Sequence, residues 1–265
     1  MPSTETKTIP PPIEVENLLM AYNGHVVQHD LTFTVNRGDT FIVMGGSGCG
    51  KSTLLRHLTG MITPAGGVIR REGIDFFASD EETQNTIRRR SGIMYQGGGL
   101  WSSLTLAENV AFPLQEFTTL SQKDIMELAS LKLALVGLAG CERFMPSELS
   151  GGMLKRASIA RAMALDPDIL FCDEPSAGLD PISARRLDEL IIELRNSLGT
   201  TIVVVTHDLQ SIFTIATNSI FLDEELKTIR ASGPPEDILA TSKDDKIIRF
   251  LTRGTPQGET QNNLL

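Results

Sequence analysis

The stretch GGSGCGKST places Gly45, Gly46, Ser47, Gly48, Cys49 and Gly50 directly before Lys51, Ser52 and Thr53. This order fits G-x-x-x-x-G-K-[ST], in which glycines let successive backbone N–H groups turn inward around phosphate oxygens. Lys51 would then reach the β- and γ-phosphates, and the Ser52 hydroxyl would ligate Mg²⁺. A chance glycine-rich turn with an exposed lysine has a similar composition but lacks the setting. Here a mostly apolar segment, TFIVMGG, runs into the loop and a helical pattern follows over Lys51–Leu58.

A second chemical pair closes the apolar run ILFCDE, residues 169–174. Beside a phosphate loop, Asp173 is placed to hold the Mg²⁺ shell and Glu174 to orient or deprotonate the attacking water. In isolation, two acids ending a strand are ordinary surface residues. Gln96, ending GIMYQ, is a candidate sensor of Mg²⁺ and the γ-phosphate; His207, ending IVVVTH, is a candidate γ-phosphate contact. A lone histidine at a strand end also reads as a surface residue. Tyr22 offers an aromatic face for adenine, or is a half-buried tyrosine of no special role.

A third group opens a helix. In SELSGGMLKRASIARA, residues 147–162, Ser150, Gly151 and Gly152 leave bare amides at a positive dipole end, an anion site whose ligand is not obvious. Leu154, Ile159 and Ala162 then alternate with Lys155, Arg156 and Arg161, the pattern of a half-buried helix.

The elements that must position these residues follow from periodicity and punctuation. Strands and turns are expected to about Arg70, with a turn at Asn36-Arg37-Gly38-Asp39. The helix after the phosphate loop stops near Gly60. Residues 97–99 are three glycines, predicting a mobile joint after Gln96, and Leu100 and Trp101 follow as an exposed-looking apolar pair that is either a partner contact or local core. From 100 to 165 the pattern is mainly helical. One helix starts at Ser121 and Asp124 and ends at Gly137, and the last is ended by Asp166-Pro167. DILFCDEP is a strand; Asp180 and Pro181 start a helix that stops before Gly199; TTIVVVTHD is a second buried strand. Buried strands alternating with helices predict an α/β fold with a parallel core, and 97–165 reads as a helical insertion. Arg88, Arg89 and Arg90 read as a solvated face that could also meet a partner. Cys49 reads as a small filler that Lys51 could make reactive.

The whole chain sets the outer bounds. It has 265 residues, 41% hydrophobic and 22% charged, an ordinary globular composition with room for a large core. A net charge of −9 argues against nucleic acid as a partner, which would require a basic surface. Cys49, Cys141 and Cys172 show no metal spacing and fit a reducing compartment. MPSTETKTIPPPIEV lacks the apolar run of a secretory signal, and residues 1–12 read as an extended lead-in. No run approaches the roughly 18 apolar residues of a membrane span. The polar tail, 254–265, is expected to be mobile.

Taken in order, these pieces resemble the ATPase subunits of ABC transporters over nearly the whole chain. Tyr22 resembles the A-loop aromatic, residues 45–53 the Walker A, and Gln96 the Q-loop. LSGGM, residues 149–153, resembles the LSGGQ signature, with Met153 in place of the usual Gln; residues 169–174 resemble the Walker B, SAGLD at 176–180 the D-loop, and His207 the switch histidine. The resemblance implies a P-loop NTPase core over 13–253 with an N-terminal antiparallel β subdomain and the helical ABC-type insertion. It also implies ATP and Mg²⁺ as cofactors and head-to-tail pairing with a second copy. Ser150, Gly151 and Gly152 would then cap the γ-phosphate of ATP held by the partner, which supplies the missing anion.

MPSELSGGM, ENVAFPL, YQGGGLW and KIIRFLTRG resemble the Mla-type ATPases. These drive bacterial phospholipid transporters with MCE-domain periplasmic proteins. SAGLD is nearer the general D-loop than the variant of some Mla ATPases. Partners implied are an integral membrane permease, an MCE-domain protein and a small cytoplasmic accessory subunit, with the chain peripheral on the cytoplasmic face of the bacterial inner membrane. A small-solute importer keeps the same engine with another cargo. Soluble ABC proteins of translation or DNA repair carry two cassettes or a long coiled coil, and neither is present here.

Overall fold

A computed structural model describes residues 9–254; most of the expected lead-in and tail lie outside the described residues. The chain opens with an antiparallel meander, β1 (Ile13–Tyr22) and β2 (His25–Val35), followed by β3 (Thr40–Gly45) and α1 (Lys51–Leu58). β4 (Gly66–Arg71) and β5 (Ile74–Asp75) complete a four-stranded antiparallel sheet in the order β2-β1-β4-β5. Next come α2 (Glu81–Arg89), β6 (Ser91–Met94), α3 (Leu106–Phe117), α4 (Gln122–Leu135) and α5 (Gly151–Ala162). The remainder alternates: β7 (Ile169–Asp173), α6 (Pro181–Leu198), β8 (Thr201–Val205), α7 (Leu209–Ile215), β9 (Asn218–Leu222), β10 (Ile229–Ser232), α8 (Pro235–Thr241) and α9 (Asp245–Leu251).

The second sheet runs β10-β9-β3-β8-β7-β6, parallel except for the antiparallel edge strand β10. Its central strands are apolar without interruption because both faces are covered. Ile42, Met44, Leu170, Cys172, Ile202 and Val204 face the helices that include α3, α5 and α6. Phe41, Val43, Ile169, Phe171, Val203 and Val205 face α1 and the antiparallel sheet. The expected α/β fold is therefore present, with α3, α4 and α5 between β6 and β7.

Helix starts match their sequence signals. Asp180 accepts from the Ile182 and Ser183 amides, Pro181 holds the first position of α6, and Gly199 ends it in the left-handed region. Ser121 caps α4. Three expectations need correction. α5 stops at Ala162, before Asp166-Pro167, where Met163 takes the C-cap. β6 stops at Met94, so Tyr95 and Gln96 lie in the loop beyond it. Arg88, Arg89 and Arg90 are not merely solvated: Arg88 lies over the Phe76 ring, Arg89 over Phe117, and Arg90 pairs with Asp168.

Candidate functional site

The site is built at the C-terminal ends of the parallel strands, where a doubly wound sheet opens a crevice. β3 ends in Gly45, whose φ of 148° and close surroundings require glycine: an added Cβ would lie 2.4 Å from the Leu222 carbonyl oxygen. The loop turns back over Lys51, whose Nζ donates to the Gly45 and Gly46 carbonyls at 3.0 and 2.8 Å. Behind the loop, the buried Gln28 Nε2 donates to the Cys49 carbonyl at 2.7 Å and to the Asp223 carbonyl at 2.8 Å. Gln28 is a supporting residue that its polar type in a strand did not advertise. Cys49 is the small filler: it is buried, and burial pushes its thiol up despite the neighbouring Lys51. α1 begins at Lys51, so its first amides and positive dipole end face the same space.

β7 delivers the acids. Ser52 Oγ donates to Asp173 Oδ1 at 3.1 Å, joining the loop hydroxyl to the strand-end carboxylate. Burial raises the Asp173 carboxyl; the Ser52 hydrogen bond lowers it and the nearby Glu174 charge raises it. Glu174 is 8% exposed and adopts φ 47°, a left-handed conformation that is strained for a residue with a Cβ. Its N–H donates to the Val205 carbonyl at 2.8 Å, which ties it to β8. Its Oε1 lies 2.8 Å from His207 Nδ1, and a carboxylate acceptor there places the proton on Nδ1. β8 stops at Val205, so His207 lies in the loop beyond the strand and not, as expected, at its end; it is exposed on one side and engaged with the candidate base on the other.

Most of these residues share one cavity of about 580 Å³, whereas Cys49 and Asp173 lie behind its wall, Asp173 reaching it through Ser52. The wall is formed by Gly45, Gly46, Ser47, Gly48, Gly50, Lys51, Ser52, Thr53, Gln96, Glu174, His207 and Phe250. Phe250, on α9 and packed edge-on against Phe221, is a wall residue that the sequence offered only as an apolar position. Tyr22 is outside the wall: it is half-exposed, with its ring 6.4 Å from that of His57.

Ser150, Gly151 and Gly152 also stand apart from the cavity. Ser150 caps α5 by accepting from the Met153 N–H at 3.3 Å, so the helix start is partly finished rather than wholly bare. An added Cβ would lie 3.3 Å from Leu179 at Gly151 and 3.1 Å from Ser183 at Gly152, which seats the helix start against the beginning of α6.

The loop after Gln96 departs from its sequence reading. Gly98 and Gly99 adopt φ 84° and 68°, and the Gly98 N–H donates to the Tyr95 carbonyl at 2.8 Å. Arg161 donates to the Gly99 carbonyl, so the glycines form a fixed turn against α5 and not a free joint. Lys155 is buried rather than solvated: its Nζ donates to the Gln96 carbonyl and reaches the Glu174 carbonyl at 3.4 Å. Burial pushes this ammonium down, and the Asp173 and Glu174 charges pull it back up. Leu100 packs on the core, whereas Trp101 is 53% exposed beside Phe112, with ring centroids 6.0 Å apart. Arg88, Arg89, Tyr95, Phe117 and Arg161 line an open groove of about 450 Å³.

The donors suit Mg²⁺ held jointly with a nucleotide. Among the described residues no cluster of three or more His, Cys, Asp or Glu side chains could cage a metal by itself. A hydroxyl and a carboxylate joined beside a phosphate loop are the hard oxygen ligands that Mg²⁺ takes when phosphates supply the rest.

Comparison with known proteins agrees with this geometry. The sequence pattern of the ABC transporter family matches residues 28–177. The intermembrane phospholipid transport system ATP-binding protein MlaF of Haemophilus influenzae is 38% identical over 239 residues, which cover 90% of this chain and 89% of that protein. The probable ribonucleotide transport ATP-binding protein mkl of Mycobacterium tuberculosis is 38% identical over 249 residues, covering 94% of this chain and 68% of that protein. Among solved structures, the dimeric post-hydrolysis state of the ATP-binding cassette MJ0796 bound to ADP and Pi aligns with TM-score 0.75 and 27% identity, covering 83% of this chain and 97% of that one.

Proposed function

The chain belongs to the ABC transporter family as an ATP-binding ATPase, and from that premise we propose how its residues share the work of hydrolysis and transport. ATP lies with its phosphates in the loop of residues 45–53, and Lys51 clamps the β- and γ-phosphates. Ser52, Asp173 and Gln96 would hold Mg²⁺, which would offset the negative charge of the phosphates. Glu174 accepts the proton of the water that attacks the γ-phosphorus, and His207 orients the Glu174 carboxylate. The observation that carries this reading is the 2.8 Å Glu174–His207 pair in the same cavity as Lys51. Tyr22 is assigned to adenine as the resemblance implies, although its ring stands outside the cavity wall.

Two copies pair head to tail, with Ser150, Gly151 and Gly152 of each completing the other's site. This reading is supported by the placement of α5's start outside its own chain's cavity and by the dimeric MJ0796 cassette. Residues 13–253 form the ATPase domain, with 97–165 as its helical subdomain. No described helix is long and apolar enough to cross a membrane; membership of the transporter family is what supports an integral membrane permease as partner. The arginine-lined groove and the exposed Trp101–Phe112 pair suit a permease segment with aromatic and acidic side chains on the cytoplasmic face of the inner membrane.

The MlaF relative favours phospholipid as cargo, with an MCE-domain protein and a small cytoplasmic accessory subunit as further partners. The mkl relative, named for ribonucleotide transport, favours a small-solute cargo. Mass spectrometry of the complex co-purified from membranes separates them: an MCE-domain partner with bound lipid selects the first, and a solute-binding protein the second. The catalytic assignment is tested by Glu174→Gln, which keeps shape and loses basicity. ATP is expected to bind and turnover to stop. Wild-type turnover in that variant removes Glu174 from its role.

A further inference from the structure

α5 lays one face along the Gln96 loop. Lys155, Ser158 and Arg161 recur every three residues, so they share that face. Arg161 donates to the Gly99 carbonyl, and a Cβ added at Gly98 would sit 2.9 Å from Ser158 Oγ. Lys155 is buried too. It lies in the half of the helix that begins with Ser150, yet its ammonium ends between two carbonyls from different strands' loops, Gln96 after β6 and Glu174 after β7.

Both carbonyls belong to residues whose side chains face the nucleotide cavity, whereas Lys155 itself is not in that cavity's wall. The Glu174 backbone is the strained one, with φ 47°, and its carbonyl also accepts from the Ala177 N–H at 3.2 Å. Holding a left-handed residue at a functional position takes surroundings that over-determine it. The Val205 carbonyl fixes its N–H side, while Lys155 and Ala177 fix its carbonyl side.

We propose that Lys155 is a positioning residue for hydrolysis: its buried ammonium, shared by the Gln96 and Glu174 carbonyls, locks the γ-phosphate sensor and the base into one register with the signature helix. This rests on the roles assigned above to Gln96 and Glu174. Lys155 touches neither nucleotide nor metal, so its removal acts on the rate of the chemical step and not on ATP affinity. Because α5 also carries Ser150 to Gly152, the same lock ties each chain's base to the helix that completes the partner's site.

The test uses the full chain with Lys155→Met, which keeps the length and apolar stem but removes the donors. Steady-state ATPase and ATP binding by equilibrium dialysis are measured together, beside Lys155→Arg, Gln96→Ala and Glu174→Gln. Loss of charge-assisted hydrogen bonds at the base predicts a fall in kcat of about tenfold or more. ATP affinity should stay within about twofold, because Lys155 makes its contacts behind the cavity wall and none with the nucleotide, so that kcat and kcat/KM fall together. Lys155→Arg, which restores a buried cation with donors, should recover much of the loss, and Lys155→Met combined with Gln96→Ala should cost less than the product of the two single effects. A kcat within twofold of wild type in Lys155→Met, with Gln96→Ala and Glu174→Gln impaired, overturns the role of Lys155 and leaves the site reading intact. Wild-type turnover in Gln96→Ala and Glu174→Gln overturns the site reading, and the Lys155 role with it. Should Lys155→Met not fold, Lys155→Gln takes its place, and parallel loss of ATP affinity and kcat without rescue by Lys155→Arg makes Lys155 a packing residue only.

Discussion

Asp188 shows what the support behind His207 costs in stability. It lies on α6, 2% exposed, and accepts from Ser211 Oγ of α7 at 3.0 Å. Ser211 and Ser176 also reach Asp208, the residue after His207, at 3.3 and 3.5 Å, so Asp188 backs a polar chain leading to the switch. Its other carboxylate oxygen is buried with no hydrogen-bond partner. Burial raises the Asp188 pKa from 3.8 to about 6, with the Ser211 bond opposing and the Asp208 and Glu189 charges adding to the rise. At 1.36 kcal/mol per unit that rise corresponds to about 2–3 kcal/mol against folding.

The sign follows from the direction of the shift. A carboxyl whose pKa is higher folded than unfolded destabilises the fold fully above about 6, and the penalty disappears as pH falls towards 3.8. Asp188→Asn keeps an acceptor for Ser211, removes the buried charge and ends the repulsion from Asp208. At pH 7.5 it should stabilise the chain by about 2 kcal/mol, or about 4–8 °C in Tm for a domain of this size. The gain should shrink steadily between pH 6 and 4. Thermal melts of both proteins across that range, read as the difference between them, isolate Asp188 from the other carboxyls. A variant no more stable at pH 7.5, or a gain independent of pH, refutes the reasoning.

Three further outcomes are expected. His207→Ala removes a 2.8 Å hydrogen bond to a charged base from a ring that is 67% exposed, so kcat should fall about tenfold with little change in KM; an unchanged kcat in a steady-state ATPase assay counts against the pair. Ser150→Arg, placed in the Glu174→Gln protein, should abolish ATP-induced dimerisation in light scattering while the chain still binds ATP at its own phosphate loop. Trp101→Ala should leave the Tm of the isolated chain within about 1–2 °C, as expected for an exposed side chain, yet weaken co-purification with the permease.

Legibility in the sequence tracked how local the cause was. The phosphate loop, Asp173 at the end of β7, the caps of α4 and α6 and the apolar centres of the strands all follow from rules that act within a few residues, while the strand ends fall short of Gln96 and Glu174. Lys155 was unreadable for the opposite reason. Helical periodicity sends a lysine flanked by Leu154 and Arg156 towards water unless something pays for its burial, and here that is two carbonyls 59 and 19 residues away in sequence. The glycines after Gln96 misled in the same manner. A run of three reads as freedom, but the positive φ of Gly98 and Gly99 serves a turn pinned by Arg161, itself distant in sequence. Leu100 and Trp101 are adjacent and apolar, and only the approach of the helical core separates them into one packed and one exposed residue.

Each of these misreadings falls on a contact of α5 or beside one. A helix that lies on one chain's Gln96 loop while presenting its start outward answers to two sets of constraints. Its sequence therefore fits the pattern of a simple amphipathic helix poorly: Lys155 and Ser158 are buried while Gly151 at the start is exposed. The burial of polar residues along this helix marks where the fold gives up local consistency to hold the Gln96 and Glu174 backbones, the departure expected where structure is shaped by function.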